Sequence, residues 1–123
     1  MILDAGALIA VSRNDRAMIA RLVAAEQDDE EVSTHPMVVA QVWRDGGRQV
    51  VLARLLRGVQ IVVIDDELGR RCGGLLGKAK TSDPIDAAVV LIASDGESVV
   101  TSDPDDIEHL ARVARRKVIV VRC

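Results

Sequence analysis

Short runs of aliphatic and β-branched residues alternate along this chain with longer stretches in which apolar positions recur every three or four residues. The short runs read as buried strands and the longer stretches as amphipathic helices. Residues 1–4 form a first strand and 5–11 open a helix. A second helix over 15–27 presents Ile19, Leu22 and Val23 on one face. The acidic stretch 28–31 is a solvated turn, and 32–34 a strand. Pro36 stands at a helix start, with that helix running to the Asp45-Gly46-Gly47 break. A helix over 48–57 stops at Gly58, and 60–64 is a strand. A helix follows over 65–80, loosened by Gly73-Gly74. The remainder reads as helix 83–94, strand 98–101, helix 103–115 and strand 118–121. No linker divides residues 1–123, so the expectation is one α/β domain with a mostly parallel sheet between two helical layers.

Several carboxylates interrupt this pattern at regular places. The tetrad Thr-Ser-Asp-Pro occurs at 81–84 and again at 101–104, and each copy carries a further aspartate, Asp86 and Asp106. Asp4 ends the first apolar run. Asp83 and Asp103, each followed by proline, fit N-caps; Asp86 and Asp106 then fall in first turns, where the helix dipole favours negative charge. Capping alone accounts for either motif taken singly. In a parallel sheet, however, residues just beyond the strands' carboxyl ends converge on one edge. Asp4 and Asp103 both belong there, and an all-oxygen acidic pocket suits Mg²⁺ or Mn²⁺.

Composition narrows the chemistry. Hydrophobic residues make up 49% of the chain, yet Phe and Tyr are absent and Trp43 is the only aromatic. This argues against nucleic-acid modules that stack bases on aromatic platforms, while contact with phosphates needs only Arg and Lys. The net charge of −3 conceals three basic clusters: Arg44, Arg48, Arg54 and Arg57; Arg70, Arg71, Lys78 and Lys80; Arg112, Arg115, Arg116 and Lys117. Each reads as a solvated helix face or as the rim of a site for a polyanion. Cys72 and Cys123 match no zinc or redox spacing, which fits a reducing cytoplasm. No signal peptide is expected, because Asp4 interrupts the opening apolar run, and no run is long enough to span a membrane. Glycine-rich phosphate loops are missing. His35 and His109 adjoin no serine motif and read as structural or surface residues.

The residues 2–9, Ile-Leu-Asp-Ala-Gly-Ala-Leu-Ile, the block Asp-Ala-Ala-Val-Val at 86–90, and Val-Val-Thr-Ser-Asp at 99–103 followed by Asp106-Ile107 together resemble the PIN-domain family, most closely its VapC-type toxins. The resemblance spans essentially the whole chain. It implies a PIN-like fold and metal-assisted hydrolysis of RNA phosphodiesters, with Asp4, Asp86 and Asp103 as catalytic and metal-binding acids beside Asp83 and Asp106. It implies Mg²⁺ or Mn²⁺ as cofactor, RNA as substrate, a cognate antitoxin and a homodimer, for which apolar residues around 50–56 are available. The family carries a glutamate between the first and third acids; here Gln41 stands in that position, which removes a negative charge. Asp83, one helical turn from Asp86, offers a compensating carboxylate. Arg44 and Arg48 are the first candidates for RNA phosphates. The alternative is a catalytically weakened or inactive PIN-like domain that binds a partner protein or RNA. A phosphate-accepting signalling domain fits less well, because no later strand ends in lysine.

Overall fold

The computed structural model describes all residues from Met1 to Cys123. Its elements are β1 (Ile2–Leu3), α1 (Ala5–Ser12), α2 (Arg16–Gln27), β2 (Ser33–Thr34), α3 (Pro36–Val42), α4 (Val50–Leu56), β3 (Gln60–Ile61), α5 (Asp66–Ala79), α6 (Pro84–Ile92), β4 (Ser98–Thr101), α7 (Pro104–Val113) and β5 (Ile119–Arg122). The five strands form one sheet in the order β3-β2-β1-β4-β5, and every neighbouring pair is parallel. One helical layer gathers α2, α3 and α4 around α1, and α5, α6 and α7 pack on one another in the other layer. The expected three-layer α/β architecture is therefore present, with a wholly parallel sheet. No helix is long and apolar enough to cross a membrane.

β1 and the middle of β4 are apolar because helices cover both faces of the sheet, whereas β2 is the buried polar pair Ser33–Thr34. Leu3, Val99 and Val100 are completely buried, as are Leu8 of α1 and Ile107 of α7. The chain winds from β1 outward through β2 to β3, then returns to lay β4 on the other side of β1 before ending in β5. The junction between β1 and β4 is thus the switch point of the sheet. Such points open a crevice beyond the strands' carboxyl ends.

Local chemistry explains where the helices begin. Asp15 and Asp65 cap α2 and α5 by accepting the amides of Met18 and Leu68, both at 2.8 Å. Proline occupies the first turn of α3, α6 and α7. Gly73-Gly74 does not interrupt α5, whose buried stripe of Cys72, Leu75 and Ala79 holds it against the core.

Three expected elements need correction. On α2, Ile19 and Val23 are exposed; Met18, Leu22 and Ala25 face the body instead. Two apolar stripes overlap on that helix, and periodicity alone cannot choose between them. The strand expected over 60–64 pairs only through Gln60–Ile61, because β3 is an edge strand and the chain leaves the sheet after the Val62 amide bonds Thr34 O at 2.8 Å. The helix expected to reach Asp45 stops at Val42, and the next starts at Val50. Gln49 ties off the end of α3: its Oε1 accepts the amides of Arg44 and Asp45 at 2.7 and 3.0 Å, and its Nε2 donates to Val42 O at 2.9 Å, while the backbone of Gln49 itself is the N-cap of α4 with no side-chain cap.

Candidate functional site

Asp4 follows β1, and its amide still donates to Val100 O at 3.0 Å, which fixes the residue beside β4. Its side chain is 5% exposed. Burying a carboxylate is costly unless hydrogen bonds replace water. Here Oδ1 accepts the Ala5 amide at 2.8 Å and Oδ2 accepts the Thr101 hydroxyl at 2.7 Å. The Thr101 oxygen in turn accepts the Asp103 amide at 3.0 Å. The turn after β4 is thereby tied to the end of β1. Gly6 permits this approach, since a Cβ there would lie 2.6 Å from Ser102 Oγ and 2.9 Å from the Ser102 amide nitrogen.

The two Thr-Ser-Asp-Pro tetrads do different work. Asp83 caps α6, with Oδ1 accepting the amides of Ile85 at 2.9 Å and Asp86 at 3.2 Å. Asp103 occupies the equivalent position before α7 but makes no capping bond with its side chain. Its carboxylate, like that of Asp106 in the first turn of α7, stands exposed and outside every salt bridge of the chain. Capping thus explains Asp83 and leaves Asp103 free for another role.

Asp86 reports on the whole cluster. Burial and the negative charges of Asp4, Asp83, Asp103 and Asp106 push its carboxyl up to about 7. Five aspartates from three separated parts of the chain therefore share one electrostatic neighbourhood at the switch point. None of them is paired with a basic side chain. Asp83, Asp86 and Asp106 line a cleft of 250 Å³ with His109, and Asp103 and Asp106 line an adjoining one of 230 Å³ with Arg122. As the side chains stand, no group of three or more carboxylate, histidine or cysteine ligands is close enough to hold an ion. Closing the exposed Asp103 and Asp106 onto Asp4 and Asp86 would require side-chain rotation.

Gln41 lies exposed in the last turn of α3 and is hydrogen-bonded to none of these acids. Arg44 turns its guanidinium back onto its own helix end, donating to Ala40 O at 2.9 Å and Trp43 O at 2.6 Å. Arg48 is exposed and 3.8 Å from Asp45. Neither arginine lines the acidic clefts.

Two further residues adjoin the site: Arg122, to which the sequence reading gives no role, and His35, which it reads as structural or surface. Arg122 is the only arginine or lysine lining either acidic cleft, and it arrives there because β5 pairs with β4 in the register Thr101–Arg122. No local signal in the sequence marks it. His35 is wholly buried at the start of α3. Its Nδ1 accepts the Met37 amide at 3.2 Å, so Nε2 carries the hydrogen and donates to Ile85 O at 3.0 Å. Burial lowers its pKa against the opposing pull of that hydrogen bond and of Asp4, which keeps the ring neutral. His35 therefore fastens the start of α3 to the first turn of α6, one residue before Asp86. The histidine is structural, as its sequence context suggests, yet it supports the site. Cys72 is buried and Cys123 exposed, and both are free thiols.

Compared with known proteins, the chain matches no protein-family model and no curated protein sequence.

Proposed function

We propose that this chain is a PIN-like, Mg²⁺- or Mn²⁺-dependent endoribonuclease that acts in the cytoplasm as the toxin of a toxin–antitoxin pair. The observation that carries the reading is the carboxylate cluster at the β1–β4 switch point, where five aspartates from three parts of the chain lie together and none is paired with a basic side chain. A protein holds like charges together at a cost to its stability, and a hard cation with oxygen ligands is the chemistry that relieves it. The donor chemistry, all carboxylate oxygen, suits such an ion: once the exposed side chains turn inward from their present separation, Asp4, Asp86 and Asp103 would hold it, with Asp83 and Asp106 beside them. When bound, such an ion polarises a phosphodiester and acidifies water.

The chain's own residues prepare that site. Thr101 and the Ala5 amide orient Asp4, whose low exposure excludes bulk water. With its carboxyl raised to about 7, Asp86 holds a proton for part of the time near neutral pH, and a bound cation would favour its carboxylate form. Asp103 and Asp106, exposed and without salt bridges, can turn towards a ligand. Arg122 assumes the phosphate-binding role first assigned to Arg44 and Arg48, because it is the cation at the acidic rim. RNA is the substrate, and an antitoxin covering this edge of the sheet would silence it. Exposed Val50 and Val51 on α4 provide apolar surface for a homodimer.

Gln41 favours a second reading, in which the domain binds a partner protein or RNA and cleaves poorly. A neutral amide contributes only a carbonyl oxygen, so cation affinity falls. Incubating purified protein and structured RNA with Mg²⁺ or Mn²⁺ separates the two. Cutting that EDTA and Asp4→Asn both abolish supports the nuclease. A folded sample that leaves several RNAs intact with either metal sinks it in favour of the binding domain.

A further inference from the structure

The fold brings together parts of two of the three basic clusters, and none of the residues that meet lines an acidic cleft. Arg71 and Lys78 of α5 face Arg115 and Arg116, just past the end of α7, across a hollow of 700 Å³. Leu75, Leu91 and Val113 form its apolar floor, and no carboxylate lines it. Arg112 and Lys117 extend the basic surface around Arg116 into a second hollow of 280 Å³, where Glu108 is the single acid. We infer that this basic cleft between α5 and the end of α7 is a phosphodiester-binding surface that holds an RNA strand outside the acidic site. The inference rests on the nuclease reading for the identity of the polyanion.

Helix capping explains only part of this charge. Lys78 and Arg112 sit in last turns, where cations complement the helix dipole, and Arg116 donates to Ala93 O at 3.1 Å beyond α6. Arg71 lies in the middle of α5, away from either end. Arg115 adopts φ 54° just after the C-cap of α7, the same left-handed helix ending that Asn14, Asp29 and Lys80 make after α1, α2 and α5. Glycine or asparagine is favoured there, and another residue costs about 1 kcal/mol. None of these cations takes part in a salt bridge, so their mutual repulsion is unrelieved within the chain. Gly74, also in the lining, has nothing within 4 Å of where its Cβ would stand, which leaves the α5 backbone open to approach.

The position suits a strand that also reaches the acids. Asp106, which lines the acidic cleft, and Val113, which lines the basic hollow, are seven positions apart on α7, a rise of about 10 Å that a short RNA segment can span. Phosphates would lie against the basic rim while sugars and bases cover the apolar floor. Cations here also balance the acidic edge, which would otherwise repel the same RNA.

The test is binding of a labelled single-stranded RNA to the full chain in EDTA, titrated with KCl. EDTA uncouples binding from cleavage. Replacing Arg71, Lys78 and Arg115 together by glutamine should weaken binding by roughly tenfold and make the log–log salt slope shallower by about 2, because each phosphate contact contributes about 0.7. Arg71→Lys with Arg115→Lys should restore the slope, since a point charge suffices. If the triple variant unfolds, Lys78→Gln alone should lower the slope by about 0.7. An unchanged slope in a folded variant overturns the cleft. Displacement of RNA by polyglutamate as readily as by unlabelled RNA overturns the nucleic-acid assignment in favour of an acidic peptide. Asp4→Asn should abolish cleavage and keep the slope. A slope that depends on the cleft in a protein that never cleaves RNA sinks the nuclease alone, and cleavage with an unaltered slope sinks the cleft alone.

Discussion

Thr101 donates its hydroxyl to the buried carboxylate of Asp4 at 2.7 Å, joining residues 97 positions apart in the sequence. The same oxygen accepts the Asp103 amide at 3.0 Å, so one side chain sets the relation between two of the proposed metal-binding acids. The bond also replaces water that Asp4 loses on burial.

Thr101→Val keeps the shape and removes the hydroxyl. Asp4 is then left with the Ala5 amide as its only hydrogen-bond donor. Leaving a buried acceptor partly unsatisfied costs about 1–3 kcal/mol. Urea denaturation should show that loss, and Thr101→Ser should recover most of it. Equal midpoints for the valine variant and the parent would mean that the bond contributes nothing.

Asp86 makes a prediction about pH. Its carboxyl is raised from 3.8 to about 7 in the folded protein, so between those values the folded state binds the proton more tightly than the unfolded state does. Stability from this group is fully present below about pH 4 and is lost as pH rises through about 7. Because Asp86 is half-buried, solvent screening reduces the effect to about 1–2 kcal/mol. Asp86→Asn should therefore be more stable than the parent at pH 8, with the difference closing towards pH 4. Melting curves across that range decide it, and a gap that stays constant with pH would rule out the carboxylate cluster as its source.

Gly6 tests the packing of the turn that carries Asp103. Alanine is the better helix former by about 1 kcal/mol, and α1 would gain that much in isolation. The new Cβ would instead meet Ser102, including its backbone nitrogen at 2.9 Å. Overpacking of this kind costs about 1–3 kcal/mol, so the clash wins. Gly6→Ala should lower the melting temperature, while Gly74→Ala, with open space around it, should raise or preserve it. A stable Gly6→Ala protein would show that the turn has room to move.

Much of the architecture was legible because it depends on local order. Strands are interspersed with helices, three helices start at proline and three others at a capping aspartate, and β1 and the middle of β4 are apolar. These features follow from backbone preferences and from burial on both faces of a parallel sheet. Asp4, Asp83, Asp86, Asp103 and Asp106 could be picked out for the same reason, by their places at strand ends and in first turns. The end of α3 could not be read, because Gln49 holds it through a side chain that bonds three backbone groups.

What the sequence by itself determined is the α/β class, the set of acids and the composition of the basic clusters, since each is encoded within a few consecutive residues. Only the tertiary structure decided that identical tetrads would diverge, with Asp83 closing a cap and Asp103 standing free. It alone placed Arg122 at the acidic rim, through the pairing of β5 with β4, and joined Arg71 to Arg115 across one cleft. The physical reason is common to all three. Strand register and helix packing fix which distant side chains meet, and those depend on how the whole core closes rather than on any local stretch of chain.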